Sequence, residues 1–392
     1  MKKLSGGFSG DSATIGQANA RGNNRKIRVL FPFVGDTLGG SHMSALDLVA
    51  RLGAHGVDPL VILESRGLLS EYLDELGIQY TVLYSFGDRP PASRVHRLSF
   101  LIGQWKDQIA RFNADIVHTN DGRMHAPWLM AKKVFGYQVV WHQRTAISRK
   151  RLASVACMAS QIITISDFVT SSSPQCVQKR AIQIPDPIEF KIRPDRGEAK
   201  RRLGTIGISA GLANIFAVGN LTPQKRPHFA VQVLAAVRKR WAPEAQLVLI
   251  GEEREPAASW SRALAEELEV DQSVHFLGLQ KPVEYLLPGA DVLLAPSVRE
   301  GLGRNIVEAM LSNVPVVASN SGAHPEIIAH GDSGLLFESH DTNAAADLVG
   351  RVLSQPGLRA TLQAGGRQKT RTFDADLHAR RVLKVYREVT NT

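Results

Sequence analysis

Pro296-Ser297-Val298-Arg299-Glu300-Gly301-Leu302-Gly303-Arg304-Asn305-Ile306-Val307-Glu308-Ala309-Met310 follows an apolar run, Asp291-Val292-Leu293-Leu294-Ala295, bounded by Gly289 and Pro296. The run reads as a buried strand. Beyond the glycines, Ile306, Ala309, Met310 and Asn313 recur at helical spacing, which starts a helix near Gly303 or Arg304. Strand, glycine turn and helix in succession present backbone N–H groups and a positive dipole end to an anion. Gly301 and Gly303 have no Cβ, so backbone can approach a phosphate closely. Asn305 and Glu308 share a helix face and lean back toward the turn that carries Glu300. A carboxylate repels phosphate. It belongs beside one only when the ligand also brings hydroxyls that donate hydrogen bonds to it. A nucleotide sugar offers both, with diphosphate in the middle and sugar hydroxyls at either end. The competing account is a surface turn with two solvated glutamates; strand, glycines and carboxylates in one run weigh against it.

The chain has 392 residues, which favours two domains. Hydrophobic residues make up 44% and charged residues 21%, the balance of a soluble globular protein. Cys157 and Cys176 suggest no disulfide framework and fit a reducing compartment. The first residues lack the apolar core of a secretory signal, and no run reaches the ~18 apolar residues that span a bilayer. A cytoplasmic protein is expected. The net charge of +10 allows an anionic membrane surface as a peripheral partner. Nucleic acid is not expected, because aromatics are only 6% and no aromatic-plus-basic constellation appears.

The order of elements is that of an α/β protein with two doubly wound sheets. Residues 1–25, rich in Gly, Ser and Asn, read as a mobile tail. Ile27–Phe33 is the first strand, Gly39-Gly40 lies in the turn after it, and a helix runs from about His42 to Leu52. An amphipathic helix carries Leu98, Leu101, Ile102, Trp105 and Ile109 behind a basic, proline-broken loop at residues 87–97. The strands Asp115–Asn120 and Val139–Arg144 end in polar groups, which places His118, His142 and Arg144 at the ligand crevice. His118 is a candidate pocket and catalytic residue, and His142 and Arg144 are candidates for acceptor or sugar contacts. Arg149-Lys150-Arg151 reads as a solvated basic face, and Ser166 or Asp167 as the cap of the next helix. Pro185 and Pro187 favour an extended linker, so the first domain is expected over 26–188 and the second over 189–372. The second domain restarts the pattern with Asn214–Asn220, a turn, and a helix from Pro227. Lys225 precedes that helix, where it can neutralise a diphosphate. Residues 373–392 form an amphipathic final helix.

The stretch from Glu300 to Met310 resembles the signature of retaining glycosyltransferases of family 4, which have the GT-B fold: E-G-[FL]-G-x-x-x-x-E-A. The resemblance implies two Rossmann-like domains facing across a cleft, with the last helix crossing back to the first domain. It implies that Glu300 contacts the transferred sugar, Glu308 the ribose, and the N–H groups after Gly301 (at Leu302 and Gly303) the diphosphate. The Gly39-Gly40 loop then faces the cleft, near donor phosphates and acceptor. Residues 219–226 resemble G-R-L-x-x-x-K-G: Lys225 falls on the diphosphate-binding Lys, and Asn220 replaces the Arg. Arg226 is a candidate for the missing charge. Val274–Gly278, with Phe276, resembles the V-x-F-x-G segment whose backbone holds the base, and residues 322–326 resemble G-G-x-x-E. His118 matches the first His of a His-x-His whose second position is Asn120.

The reaction so implied moves a sugar from a nucleotide-sugar donor to an acceptor hydroxyl. Lys225 and the helix dipole stabilise the leaving diphosphate. No Asp-x-Asp metal motif is apparent, so neither a metal nor another cofactor is expected. The acceptor is expected to be lipid-linked or a saccharide, in surface polysaccharide, lipopolysaccharide or glycolipid synthesis. Among alternatives, a glycoside hydrolase needs carboxyls flanking the bond, and Glu300 and Glu308 lie on one side. A Rossmann dehydrogenase needs G-x-G-x-x-G after the first strand, which is missing. A nucleotide-sugar epimerase and a non-catalytic anion or nucleic-acid binder stay open.

Overall fold

The computed structural model describes residues 25–83, 94–103, 105–145 and 155–391. The expected tail up to residue 24, most of the basic proline-broken loop and Arg149-Lys150-Arg151 lie outside the described residues. Arg25 is described, and pairs with Asp115 at 3.0 Å.

Two parallel sheets organise the chain. The first contains β1 (Ile27–Phe33), β2 (Val57–Leu63), β3 (Tyr80–Val82), β4 (Ile116–Thr119), β5 (Gln138–Gln143), β6 (Gln161–Thr164) and β7 (Ala181–Gln183), in the order β3-β2-β1-β4-β5-β6-β7. The second contains β8 (Asn214–Val218), β9 (Gln246–Ile250), β10 (Val274–Phe276), β11 (Val292–Ala295), β12 (Val316–Ser319) and β13 (Leu335–Phe337), ordered β10-β9-β8-β11-β12-β13. Their central strands are buried on both faces: Val29, Leu30 and Phe31 in β1, and all of β11, have no exposed surface. That is why they read as continuous apolar runs and not as alternation. In both sheets the strand order reverses beside the first strand, between β1 and β4 and between β8 and β11. A reversal opens a crevice at the carboxyl ends of those strands. The GT-B architecture of two Rossmann-like domains follows.

The sequence reading separates from the structure at three places. The amphipathic segment after residue 94 is two helices, Arg94–Ile102 and Lys106–Phe112, broken at Gly103. Cys157 and Cys176 are joined in a disulfide with Cα atoms 6.0 Å apart, which corrects the expectation of free thiols. They stand 19 residues apart on segments flanking β6, a proximity that spacing alone does not reveal. Finally, β7 and the helix His125–Phe135 had no counterpart in the sequence reading.

The helix Ala375–Thr390, capped by Asp374 Oδ1 accepting from Leu377 N at 2.7 Å, packs against the helix Gly40–Leu52. Its Ala379, Val382, Leu383, Val385, Tyr386 and Val389 share an apolar layer with Val29, Phe31 and Leu46 of the first domain. Among the described residues no helix is long and apolar enough to cross a membrane.

Candidate functional site

The turn after β11 lies on the seam between the domains. Its helix begins at Arg304, and the N-cap Gly303 has φ +87°, a left-handed conformation that glycine adopts without penalty. Ile306 N is the helix's first N–H bonded back, to Gly303 O at 3.0 Å, so the N–H groups ahead of it point out of the helix end. A Cβ on Gly301 would lie 2.3 Å from the Arg144 carbonyl oxygen of the first domain. Gly301 is therefore fixed by the approach of the other lobe, a different reason from the close phosphate contact read in the sequence. The Leu302 side chain is buried in a cluster that includes Ile165 and Val169 from the first domain.

Lys225 Nζ stands 2.8 Å from Glu300 Oε1, with both side chains mostly buried. The two motifs, 75 residues apart, thus meet at the carboxyl ends of β8 and β11. Glu308 lies one helical turn behind, its Oε1 3.7 Å from Arg304 Nε. Burial pushes the Glu308 pKa up, and the Arg304 charge partly offsets this. Behind Gly303 sits His324, with no exposed surface and Nδ1 3.0 Å from Ser319 O. Burial holds its pKa down near 4, so the ring is neutral.

Other expected site residues have different work. The Asn305 amide donates to Val218 O at 3.0 Å, tying the helix to β8. Asn220 Oδ1 accepts from Glu252 N at 3.3 Å. The Arg226 guanidinium donates to the Ser339 carbonyl, reaches Pro296 O at 3.5 Å and lies 4.3 Å over the Phe229 ring. These contacts hold the guanidinium against neutral carbonyls and a ring. Phe276 packs beside the second core, with the Arg262 guanidinium 3.8 Å over its ring.

The largest corrections fall on the first domain. His118 and His142 have no exposed surface, and Arg144 has only 8%. His118 Nδ1 contacts the Tyr386 hydroxyl of the last helix, and its Nε2 is 3.2 Å from His142 Nδ1. Arg144 donates to Asp186 at 2.8 Å and to Asn120 at 2.7 Å. These groups form a closed internal network joining β4, β5, the linker and the last helix. His118 as a catalytic group, and His142 and Arg144 as acceptor contacts, are therefore corrected to structural roles. Only the Arg144 backbone reaches the seam, against Gly301.

The polar groups that the first domain does place at its crevice were not singled out in the sequence. Arg123 forks onto Asp36 at 2.7 and 2.8 Å and also reaches Asp121 at 3.1 Å. His42 Nε2 is 3.9 Å from Asp121, and its Nδ1 accepts from Gly39 N at 3.1 Å. Asp36 follows β1 and Asp121 follows β4, the two strands at the switch point. That position was the available signal. Across the seam, Glu326 accepts from Asp167 N and Phe168 N, both at 2.7 Å, so a second-domain carboxylate caps a first-domain helix. Among the described residues no group of three or more His, Cys, Asp or Glu is placed to hold a metal ion.

Two doubly wound lobes joined at their switch points, with a lysine–glutamate pair and a helix N-terminus on the seam, define the GT-B class. Residues 206–369 match the family Glycosyl transferases group 1. The D-inositol 3-phosphate glycosyltransferase of Corynebacterium urealyticum is 32% identical over 200 residues, 49% of this chain and 46% of the relative. The alpha-maltose-1-phosphate synthase of Mycolicibacterium smegmatis is 28% identical over 67% of this chain and 70% of its own. The chain spans just under half the length of the D-inositol 3-phosphate glycosyltransferases it matches. Among solved structures, HepE of Anabaena in complex with UDP and glucose has a TM-score of 0.77 at 18% identity, covering 92% of this chain and 100% of that one.

Proposed function

We propose that this protein is a retaining glycosyltransferase that moves a sugar from a nucleotide-sugar donor to an acceptor hydroxyl. The Lys225–Glu300 pair on the interdomain seam carries the reading. A lysine held by a carboxylate, at the end of a helix dipole, suits a ligand with a diphosphate beside sugar hydroxyls. A relative of the same fold was solved with UDP and glucose, which supports a nucleotide-sugar donor. In this reading Glu300 receives hydroxyls of the transferred sugar and Glu308 those of the ribose. The acceptor lies against the first domain, where Asp36, His42, Asp121 and Arg123 offer polar contacts; it is a saccharide or lipid-linked saccharide of surface polysaccharide, lipopolysaccharide or glycolipid synthesis.

The acceptor oxygen attacks the anomeric carbon from the face the diphosphate leaves. The carbon–oxygen bond to phosphate breaks with its electron pair going to the diphosphate, and the acceptor proton passes to that departing oxygen. Lys225 and the helix end stabilise the charge, so the chemistry needs no metal. The protein works in the cytoplasm, peripherally at the anionic inner membrane face. Thermal-shift screening against UDP-, GDP- and ADP-sugars, followed by product analysis with and without acceptor, tests the assignment. Product formed without acceptor signals an epimerase, and salt-sensitive DNA binding without donor binding signals an anion-binding protein.

A further inference from the structure

We propose that Arg304 supplies the second positive charge that holds the donor diphosphate; the assignment rests on the transfer reading above. A diphosphate needs more than one cation around it. Lys225 is shared with Glu300, Asn220 is neutral, and the Arg226 guanidinium is held over the Phe229 ring and by the Ser339 carbonyl. Arg304 is the first residue of the helix behind Gly303. Its Cδ lies 2.8 Å from where a Cβ on Gly40 would stand, and Gly40 opens the 13-residue helix of the first domain. Two helix N-termini, one from each lobe, therefore converge on one guanidinium. Two positive dipole ends and a cation repel one another, and an anion between them relieves the repulsion.

The hydrogen bonds of Arg304 go to neutral groups. Nη1 donates to Ser44 Oγ at 2.7 Å and to Pro187 O at 3.2 Å, both neutral acceptors. Two carboxylates feel its charge, Glu308 at 3.7 Å and Asp47 of the first-domain helix. A second observation points to a ligand at the same turn. The Nε2 atom of His324, wholly buried, has no hydrogen-bond partner and lies 3.5 Å from where a Cβ on Gly303 would stand. With Nδ1–H donated to Ser319 O, Nε2 is an acceptor, suited to a hydroxyl of the ligand whose phosphates meet Arg304.

Calorimetry on the full chain, with UDP, GDP and ADP against uridine, guanosine and adenosine, tests this. Arg304→Gln keeps a donor for Ser44 and removes the charge. Its affinity for the diphosphate that wild type prefers should fall roughly 10- to 100-fold, with the nucleoside unchanged. Arg304→Lys should stay within about tenfold of wild type, since it keeps the charge without the fork. Equal diphosphate binding by Arg304→Gln and wild type overturns the proposal and leaves the transfer reading standing; so does an equal loss for diphosphate and nucleoside. If wild type binds none of the three diphosphates, both fall. Should Arg304→Gln fail to fold, the salt dependence of diphosphate binding decides: Arg304→Lys matching the wild-type slope upholds the charge role, and a loss beyond tenfold overturns it.

Discussion

Lys225 and Glu300 hold each other at 2.8 Å, so neither is expected to act alone. Lys225→Met should lower donor turnover by roughly 10²- to 10³-fold, the usual cost of removing one preorganised charge from a transition state. Adding Glu300→Gln to it should cost less than the two single losses combined, as a steady-state double-mutant cycle will show. His118 gives the opposite expectation. His118→Ala should destabilise the fold by about 2–4 kcal/mol, through a cavity and a Tyr386 hydroxyl left unpaired. Denaturant melts measure it, and a fall in kcat at unchanged stability would contradict the structural role. The contrast explains what was legible in the sequence. Glu300, the glycines and Glu308 sit in one run, where spacing carries the geometry. A polar strand end faces either a crevice or a neighbour, and the neighbour that took His118 is Tyr386, on the last helix.

At the scale of elements, strands and long helices were legible because two buried sheets need unbroken apolar runs and the helices keep a 3.6-residue period. The helix Pro227–Arg240 starts on its proline as read, and of the two expected caps Ser166 and Asp167, it is Ser166 that accepts from Val169 N at 3.1 Å. Gly103 breaks a pattern that periodicity alone continues. The Gly301 turn shows how an element can be read correctly for an incomplete reason. Gly301→Ala puts a methyl group 2.3 Å from the Arg144 carbonyl, so the lobes must part. We expect a loss on the order of a hundredfold in kcat/KM, as for a misplacement near one ångström. Small-angle scattering should show a larger radius of gyration for a protein that remains folded.

For the whole molecule, the buried histidines set an acid limit. Burial lowers the pKa of His118, His142, His324 and His378, with His324 held near 4, against 6.5 for an exposed ring. The unfolded chain takes up protons below pH 6.5 that the folded one refuses. Folding is therefore penalised as pH falls below 6.5, for His324 by roughly 1.4 kcal/mol per pH unit until about pH 4. Calorimetric melts at pH 7.5, 6.0 and 5.0 should show a steepening fall in Tm; a flat profile contradicts it. The helix Ala375–Thr390 has a consequence for biogenesis. It walls the apolar layer containing Val29 and Phe31, so that layer stays open until residues 375–390 have been made. A nascent first domain emerging from the ribosome must carry an uncovered greasy face until that helix follows, and a stop after residue 372 spoils the first domain more than the second.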